Sequence, residues 1–340
     1  MKRILLFIAI ILAIVASLFV YTGYRALFKP NVTSGTGYLY LPTGTTYNQL
    51  MDSIKVLDKL ININSFEKAA KFEKLSLTIN PGRYKIERGM TNREIVRSIK
   101  YGWQTPTRIT IAGNIRTREK LASIFSRKIS SDSLTILNVL EDNKFADSLG
   151  FTQNTFISIF LPNTYEVYWT ITPKNLVIRL KTEYDKFWNQ ERKTKAKEIG
   201  LTPSEVITLA SIVSEESNFR DEQPRIAGVY INRLHKGIPL QADPTIKFAI
   251  NDTAIKRILY KHLKINSPYN TYINRGLPPG PIVIPALHTI DAVLNYERHN
   301  FQYFCAKPSL DGSHNFAVTL AEHSRNARAY QKAISRLHSL

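Results

Sequence analysis

Hydrophobic positions run without a charged residue from Ile4 to Tyr21, behind a basic start of Met1-Lys2-Arg3. About 18 apolar residues is near the lower limit for a helix that crosses a bilayer. The pattern predicts an uncleaved transmembrane anchor over 4–21 with a cytoplasmic stub over 1–3. A cleaved signal peptide would share the basic start and apolar core. The run is long for such a core, and the small-residue pattern around Val15-Ala16-Ser17 is a weak cleavage site. A short tether is expected over 22–35. Beyond it, apolar positions alternate in short strand-like runs and then recur at helical spacing.

The first such segment is repeated. Gly37-Tyr38-Leu39-Tyr40-Leu41, with Gly44 and Thr46 after it, returns 45 positions later as Gly82-Arg83-Tyr84-Lys85-Ile86, with Gly89 and Thr91. Each copy predicts a strand, a glycine turn and a helix opened by a capping box, Thr46 with Gln49 and Thr91 with Glu94. Two copies are too few for a solenoid. A small α/β module over 36–105 is expected, and its strand, Gly-x-Thr and helix pattern resembles LysM, a module that binds N-acetylglucosamine polymers. A common strand–turn–helix unit explains the same turn and capping residues, so both readings stand. Strand-like Thr107–Ile111 and polar helical sequence from Thr117 to about Gly150 predict a connector over 106–155. From Phe151 onward aromatics, prolines and asparagines collect in loops between well-capped helices. A larger mixed α/β domain is expected over 156–340, which makes the whole chain α+β.

Within that region the helix after Thr202 is the best defined. Thr202 caps it, Pro203 takes the first position and Glu205 completes the capping box. It runs through Leu209-Ala210-Ser211-Ile212-Val213 into Ser214-Glu215-Glu216. At about 100° per residue Glu216 follows Ile212, Val213 and Leu209 on the apolar stripe, and Glu215 turns to the polar side. A carboxyl held against aliphatic side chains, at the negative end of a helix dipole, is favoured in its protonated form. A general acid for glycosidic cleavage needs that property. The alternative is a structural ion pair with Arg220 or Arg233.

Further on, Pro224–Leu234 predicts a helix stopped by Gly237, and Leu240–Thr245 sets Asp243 before Pro244 as a helix cap. Tyr269-Asn270-Thr271-Tyr272 and Gly276-Leu277-Pro278-Pro279-Gly280 combine stiffness with rings and amides, a surface suited to sugars. Asp311-Gly312 reads as a hairpin turn, and Thr319 with Glu322 as the cap of a last helix. His314 and His323 lack the spacing of a metal site and are expected in core or surface roles. HExxH, P-loop and GxSxG motifs are missing from the sequence. No metal and no cofactor are expected.

Charge narrows the setting. A formal net charge of +19 calls for an anionic neighbour: nucleic acid, a bilayer surface or the acidic stem peptides of a cell wall. The basic residues are spread along the chain and the N-terminus reads as an export signal, so a nucleic-acid partner is not expected. The single cysteine, Cys305, allows no internal disulfide and rules out a lipid-modified cysteine after the apolar run. It reads as part of a buried strand over Phe301–Cys305, with no chemistry assigned.

With these segments laid out, the chain resembles the MltG (YceG-like) endolytic murein transglycosylase family. Leu209–Glu216, Asn232-Arg233-Leu234, Leu240–Thr245, Tyr269–Tyr272, Gly276–Gly280 and His314-Asn315-Phe316 carry the resemblance, with Leu161–Tyr165 as an earlier echo. It implies an inner-membrane anchor, an extracytoplasmic (periplasmic) bulk, and a catalytic glutamate that by position is Glu216. It also implies lytic cleavage of the MurNAc–GlcNAc bond with 1,6-anhydroMurNAc ends, which would terminate nascent strands. Glycan strands are the expected substrate and peptidoglycan synthases the candidate protein partners. Gln241, Tyr269, Asn270 and Tyr272 are the candidates for orienting the strand. Two departures bear on the site: Ser214 stands where the family commonly has an acid, and Ala112-Gly113 where it has Glu-Gly. A muramidase that hydrolyses the same bond would need a second acid, Glu222 or Asp243. A non-catalytic wall-binding scaffold is the other alternative.

Overall fold

The computed structural model describes residues 2–33, 35–251 and 258–338. Met1 of the expected stub, Ser34 of the expected tether and residues 252–257 and 339–340 of the expected larger domain lie outside the described residues. The architecture is mixed α/β, and the chain divides into two compact units. One comprises Met1–Ile109, Ser126–Ser131 and Tyr165–Thr172, the other Thr110–Phe125, Asp132–Thr164 and Pro173–Leu340.

The first unit opens with α1 (Lys2–Phe28), long and apolar enough to cross a membrane, its most apolar window unburied by the rest of the chain. Then β1 (Thr36–Leu41) leads into α2 (Tyr47–Leu57), α3 (Ile63–Phe72) intervenes, and β2 (Gly82–Glu87) leads into α4 (Asn92–Lys100). The two copies of the repeat fold alike, and both capping boxes form, Thr46 with Gln49 and Thr91 with Glu94. Their strands pair antiparallel with each other, Thr36 opposite Glu87 and Leu41 opposite Gly82. Alternation then turns Leu39, Leu41, Tyr84 and Ile86 onto one face, where they share a core with Leu50, Phe66, Ile95 and Ile99.

The stretch expected as a tether is instead part of this unit. Helix α1 continues to Phe28, Ala26 and Leu27 are buried, and Val32 enters the core. The last carbonyls of a helix need donors from elsewhere. Buried Asn92 supplies one, donating to Ala26 O at 2.8 Å and accepting from Asn31 Nδ2 at 2.7 Å. The stretch has no strong period of its own, which is why its sequence looked like a linker.

Strands β3 (Thr107–Ile111) and β4 (Asn163–Val167) pair, and the division between the units falls within both. The second unit holds α5 (Arg118–Ser126) as far as Phe125, α6 (Ser133–Leu140), α7 (Asn143–Ser148), α8 (Pro173–Phe187) and α9 (Gln190–Ile199). Its centre is α10 (Pro203–Glu216), capped as the sequence predicts by Thr202 and Glu205. Every residue from Val206 to Val213 is buried, so α10 is enclosed all round rather than along a stripe. Around it pack α9, α11 (Gln223–His235), α12 (Asp243–Ile250) and α13 (Leu287–Leu294). Gly228 lets segment 297–299 lie close against α11, since a Cβ there would lie 2.4 Å from Glu297 O. The hairpin β5 (Tyr303–Ala306) and β6 (His314–Ala317) turns at Asp311-Gly312, and α14 (Leu320–His338) follows the Thr319–Glu322 cap.

Asn92→Ala should strip the donor from Ala26 O and leave the Asn31 amide short of an acceptor. A loss of about 2 kcal/mol is expected for such a buried pair. It would be read as a lower urea midpoint of the full chain in detergent, and an unchanged midpoint would show that α1 is not held this way.

Candidate active site

Glu216 is the last residue of α10, and Ser217 leaves the helix in extended conformation. Its carboxyl faces a cavity of about 440 Å³ in the second unit. That size is within the range of about 300–1,000 Å³ usual for ligand sites. Glu216 and Tyr230, Gln241 and Asp243, Tyr272, and the β5–β6 hairpin all contribute to the wall.

The carboxyl has one direct partner. Tyr230, buried on α11, donates its hydroxyl to Glu216 Oε1 at 2.7 Å. Loss of solvation by burial pushes the Glu216 pKa from 4.5 up to about 7, and the Tyr230 hydrogen bond partly opposes that rise. Asp243 and Glu215 repel the charged form further, and Lys247 favours it. The side chain is only partly exposed, and what exposure it keeps opens on the cavity. Protonation near neutrality thus follows from enclosure first and from neighbouring carboxylates second.

The ion-pair alternative does not hold among the described residues. Arg233 spends its guanidinium on Pro239 O at 3.0 Å, Gln302 O at 3.2 Å and Gln241 Oε1 at 2.6 Å. Its pKa is lowered by burial. Glu215, the adjacent acid, is instead the one in a salt bridge, with Arg116. Two neighbouring glutamates therefore have opposite environments, as expected for residues about 100° apart at a helix end.

Other expectations are redistributed. Asp243 is not the cap of α12: that position is Ala242, and Asp243 stands in the first turn, accepting from the Tyr272 hydroxyl at 2.6 Å. Burial and this bond both raise the Tyr272 pKa. Gln241 reaches the cavity wall on a left-handed backbone (φ 52°), its N–H bonded to Thr271 O at 3.0 Å. Such a conformation is costly for a residue other than glycine and needs the surroundings to hold it.

Asn270 was expected to face a glycan, but it is fully buried. Its amide donates to Leu263 O and Ile265 O at 3.0 and 2.8 Å, and its oxygen accepts from Tyr272 N–H at 2.9 Å. Those bonds shape the loop that presents Tyr272. Tyr269 is outside the cavity wall and leans on Phe248, ring centroids 4.6 Å apart. Gly276–Pro279 line a different cavity together with Thr202 and Thr208, near the other end of α10. A helix of 14 residues puts that end about 20 Å away.

Sequence reasoning missed two residues. Tyr230 lies between apolar Val229 and Ile231 in the helix expected over Pro224–Leu234, with no role assigned to it. His314 was expected in a core or surface role, yet it lines the cavity while Glu222 accepts from its backbone N–H at 2.9 Å and pairs with its Nδ1 at 2.8 Å. Its place in the His-Asn-Phe segment was the available signal. Glu222, one of two candidate second acids, is thereby engaged. Cys305, expected in a buried strand, is half-buried on β5 and forms part of the cavity wall.

The profile of the YceG-like family matches residues 39–329. An endolytic murein transglycosylase of Bacillus subtilis (strain 168) is 28% identical over 305 residues, 85% of this chain and 83% of that protein. A protein of the same name from Streptococcus pneumoniae serotype 2 is 32% identical over 169 residues, 48% of this chain but 30% of its own length. The crystal structure of a YceG-like protein from Listeria monocytogenes, 23% identical, has the same fold, with a TM-score of 0.58 over 85% of this chain and 98% of that one. With a match that runs from β1 into α14, the chain belongs to the YceG-like family.

Proposed function

We propose that this protein is an endolytic peptidoglycan lytic transglycosylase in which Glu216 serves first as acid and then as base. The observation that carries this reading is a carboxyl on the wall of a cavity, its pKa pushed up to about 7 by lost solvation, with a phenol as its only direct partner among the described residues. Protonated Glu216 donates to the oxygen between N-acetylmuramic acid and N-acetylglucosamine as the C1–O bond breaks. The resulting carboxylate takes the proton of the muramic C6 hydroxyl, whose oxygen closes on C1 to give the 1,6-anhydro ring. The substrate supplies the nucleophile, its acetamido oxygen steadies the charge at C1, and no water is consumed. Gln241 and Tyr272 orient the strand from the cavity wall, and Tyr269 and Asn270 support the loop behind them.

A second reading, hydrolysis of the same bond, is favoured by one observation: Asp243 lines the cavity that Glu216 faces. Glu222, the other candidate, is not among the residues lining that cavity and is paired with His314. In the wider proposal, residues 4–21 anchor the chain in the cytoplasmic membrane with the bulk outside. Residues 36–105 act as a LysM-like module on N-acetylglucosamine polymers, and residues 156–340 form the catalytic region. Support comes from the apolar length of α1, the paired strand–turn–helix copies and the charge of +19, which suits acidic stem peptides. Peptidoglycan synthases are the proposed protein partners.

Glu216→Gln should lower cleavage of sacculi at least about 100-fold, the scale of a lost general acid, with glycan binding retained. Mass spectrometry of wild-type products should find anhydro ends. Reducing ends would establish hydrolysis instead, and an active Gln variant would remove Glu216 from the mechanism.

The pH profile supplies a second check. The acid form is lost above about 7, so kcat/KM should decline there. In Tyr230→Phe the charged carboxylate loses its donor, and the decline should move to higher pH. A decline at lower pH would contradict the hydrogen bond's effect.

Stability follows with the opposite slope from that of a paired acid. Below pH 4.5 the carboxyl is protonated in both folded and unfolded chains and costs nothing. Between 4.5 and about 7 only the unfolded chain loses the proton, so stability falls as pH rises, and above 7 the penalty is constant. Glu216→Gln should therefore raise the unfolding free energy by about 2 kcal/mol at pH 8, a figure reduced for partial exposure. The gain should vanish near pH 4, and a gain independent of pH would exclude this titration as its source.

A further inference from the structure

We infer that the cationic cavity where α1 joins the first unit binds the headgroup phosphate of an anionic phospholipid. The inference rests on the proposed reading of α1 as a membrane anchor and adds a ligand to it. The cavity measures about 490 Å³. Arg25 in the last turn of α1, Lys29 just beyond its end, its N–H bonded to Arg25 O at 3.2 Å, and Lys68 on α3 supply three positive charges to its wall, and no acidic residue lines it. None of the three has an ion-pair partner among the described residues, and neighbouring Glu67 is taken by Lys71 at 3.1 Å. Asn62 and Asn64 add polar groups, and Ile61, 61% exposed, adds an apolar lip.

The height of the cavity is what points to a lipid. At 1.5 Å per residue, Arg25 lies about 6 Å and Lys29 about 12 Å beyond Tyr21, where the apolar run stops. The headgroup layer extends roughly 5–8 Å beyond the hydrocarbon. Arg25 therefore sits within it, and the flexible stem of Lys29 reaches back into it. Tyr21 and Tyr24 are exposed on the same helix, as side chains of the interfacial belt are, and Arg25 lies over the Tyr21 ring at 5.6 Å. Because Ala26 and Leu27 are buried in the unit that also carries Lys68, the three charges stay together on one cavity wall. Cations on the outer flank of a span run against the usual cytoplasmic bias of Lys and Arg. A bound phosphate offsets that cost.

The test uses the full chain in nanodiscs of phosphatidylglycerol and phosphatidylcholine, with native mass spectrometry of the lipid that remains bound after extraction. Phosphatidylglycerol should be retained in preference. Lys68→Gln should lower its retention about fivefold, the effect of ~1 kcal/mol per cation at an anionic surface. Lys74→Gln, an exposed lysine of the same unit outside the cavity, should leave retention unchanged. Equal losses in the two variants, or no preference between lipids, would overturn the inference and assign the effect to general surface charge. A thermal shift with inorganic phosphate in phosphatidylcholine discs equal to that with phosphatidylglycerol would assign the site to free phosphate and overturn it also. Release of the protein from membranes by carbonate would remove the anchor itself, whereas retention in the membrane with no lipid preference would remove this inference alone.

Discussion

A carboxyl withdrawn from water, with a phenol hydroxyl to hold it, is the constraint around which the second unit is organised. Burial alone would leave the group neutral but free to rotate, and a full ion pair would fix it but hold it charged. The Tyr230–Glu216 bond avoids both outcomes: it sets the direction of Oε1 and lowers the pKa only part of the way. The bond forms where α11 packs against α10, and Gly228 on another side of α11 leaves room for segment 297–299. Arg233, one turn beyond Tyr230, has its guanidinium taken up by two carbonyls and an amide, so it does not pair with the carboxyl.

The fold was legible wherever local chemistry decided it. Capping boxes at Thr46, Thr91 and Thr202 form as their spacing requires, because the interaction spans three residues and needs no tertiary partner. The repeat foretold two strand–turn–helix copies, but not that their strands would pair with each other. Long-range pairing leaves no trace in either copy alone. The segment after the apolar run was the clearest failure. Pro30-Asn31-Val32 has the composition of a linker, yet Asn31 joins Asn92 across 61 positions and Asn62 across 31, and such long-range contacts fix it.

Legibility of the site was uneven for a similar reason. Periodicity selected Glu216 over Glu215, although the apolar stripe invoked for it does not exist as such, since α10 is buried on all sides. What distinguishes the two acids is that one meets Arg116 and the other a cavity, and both partners come from distant sequence. Asn270 has the residue type of a sugar ligand but is used for loop geometry, a choice that residue type cannot reveal. Tyr230 and His314 carry their polar atoms on otherwise apolar elements, so hydropathy hid them. Asp243 before a proline imitated a cap, and only the fold exposes Tyr272 as its partner.

The continuity of α1 from its apolar stretch into a packed core has a geometric result. An unbroken helix transmits phase: each residue inserted ahead of Ala26 would rotate everything attached to it by about 100° and raise it by 1.5 Å. The number of residues in that helix thus works as a dial and a ruler together, setting the azimuth and the elevation of the paired strands with respect to the apolar segment. Length variation there would be felt as a turn of the whole module, where a slack connection would have absorbed it.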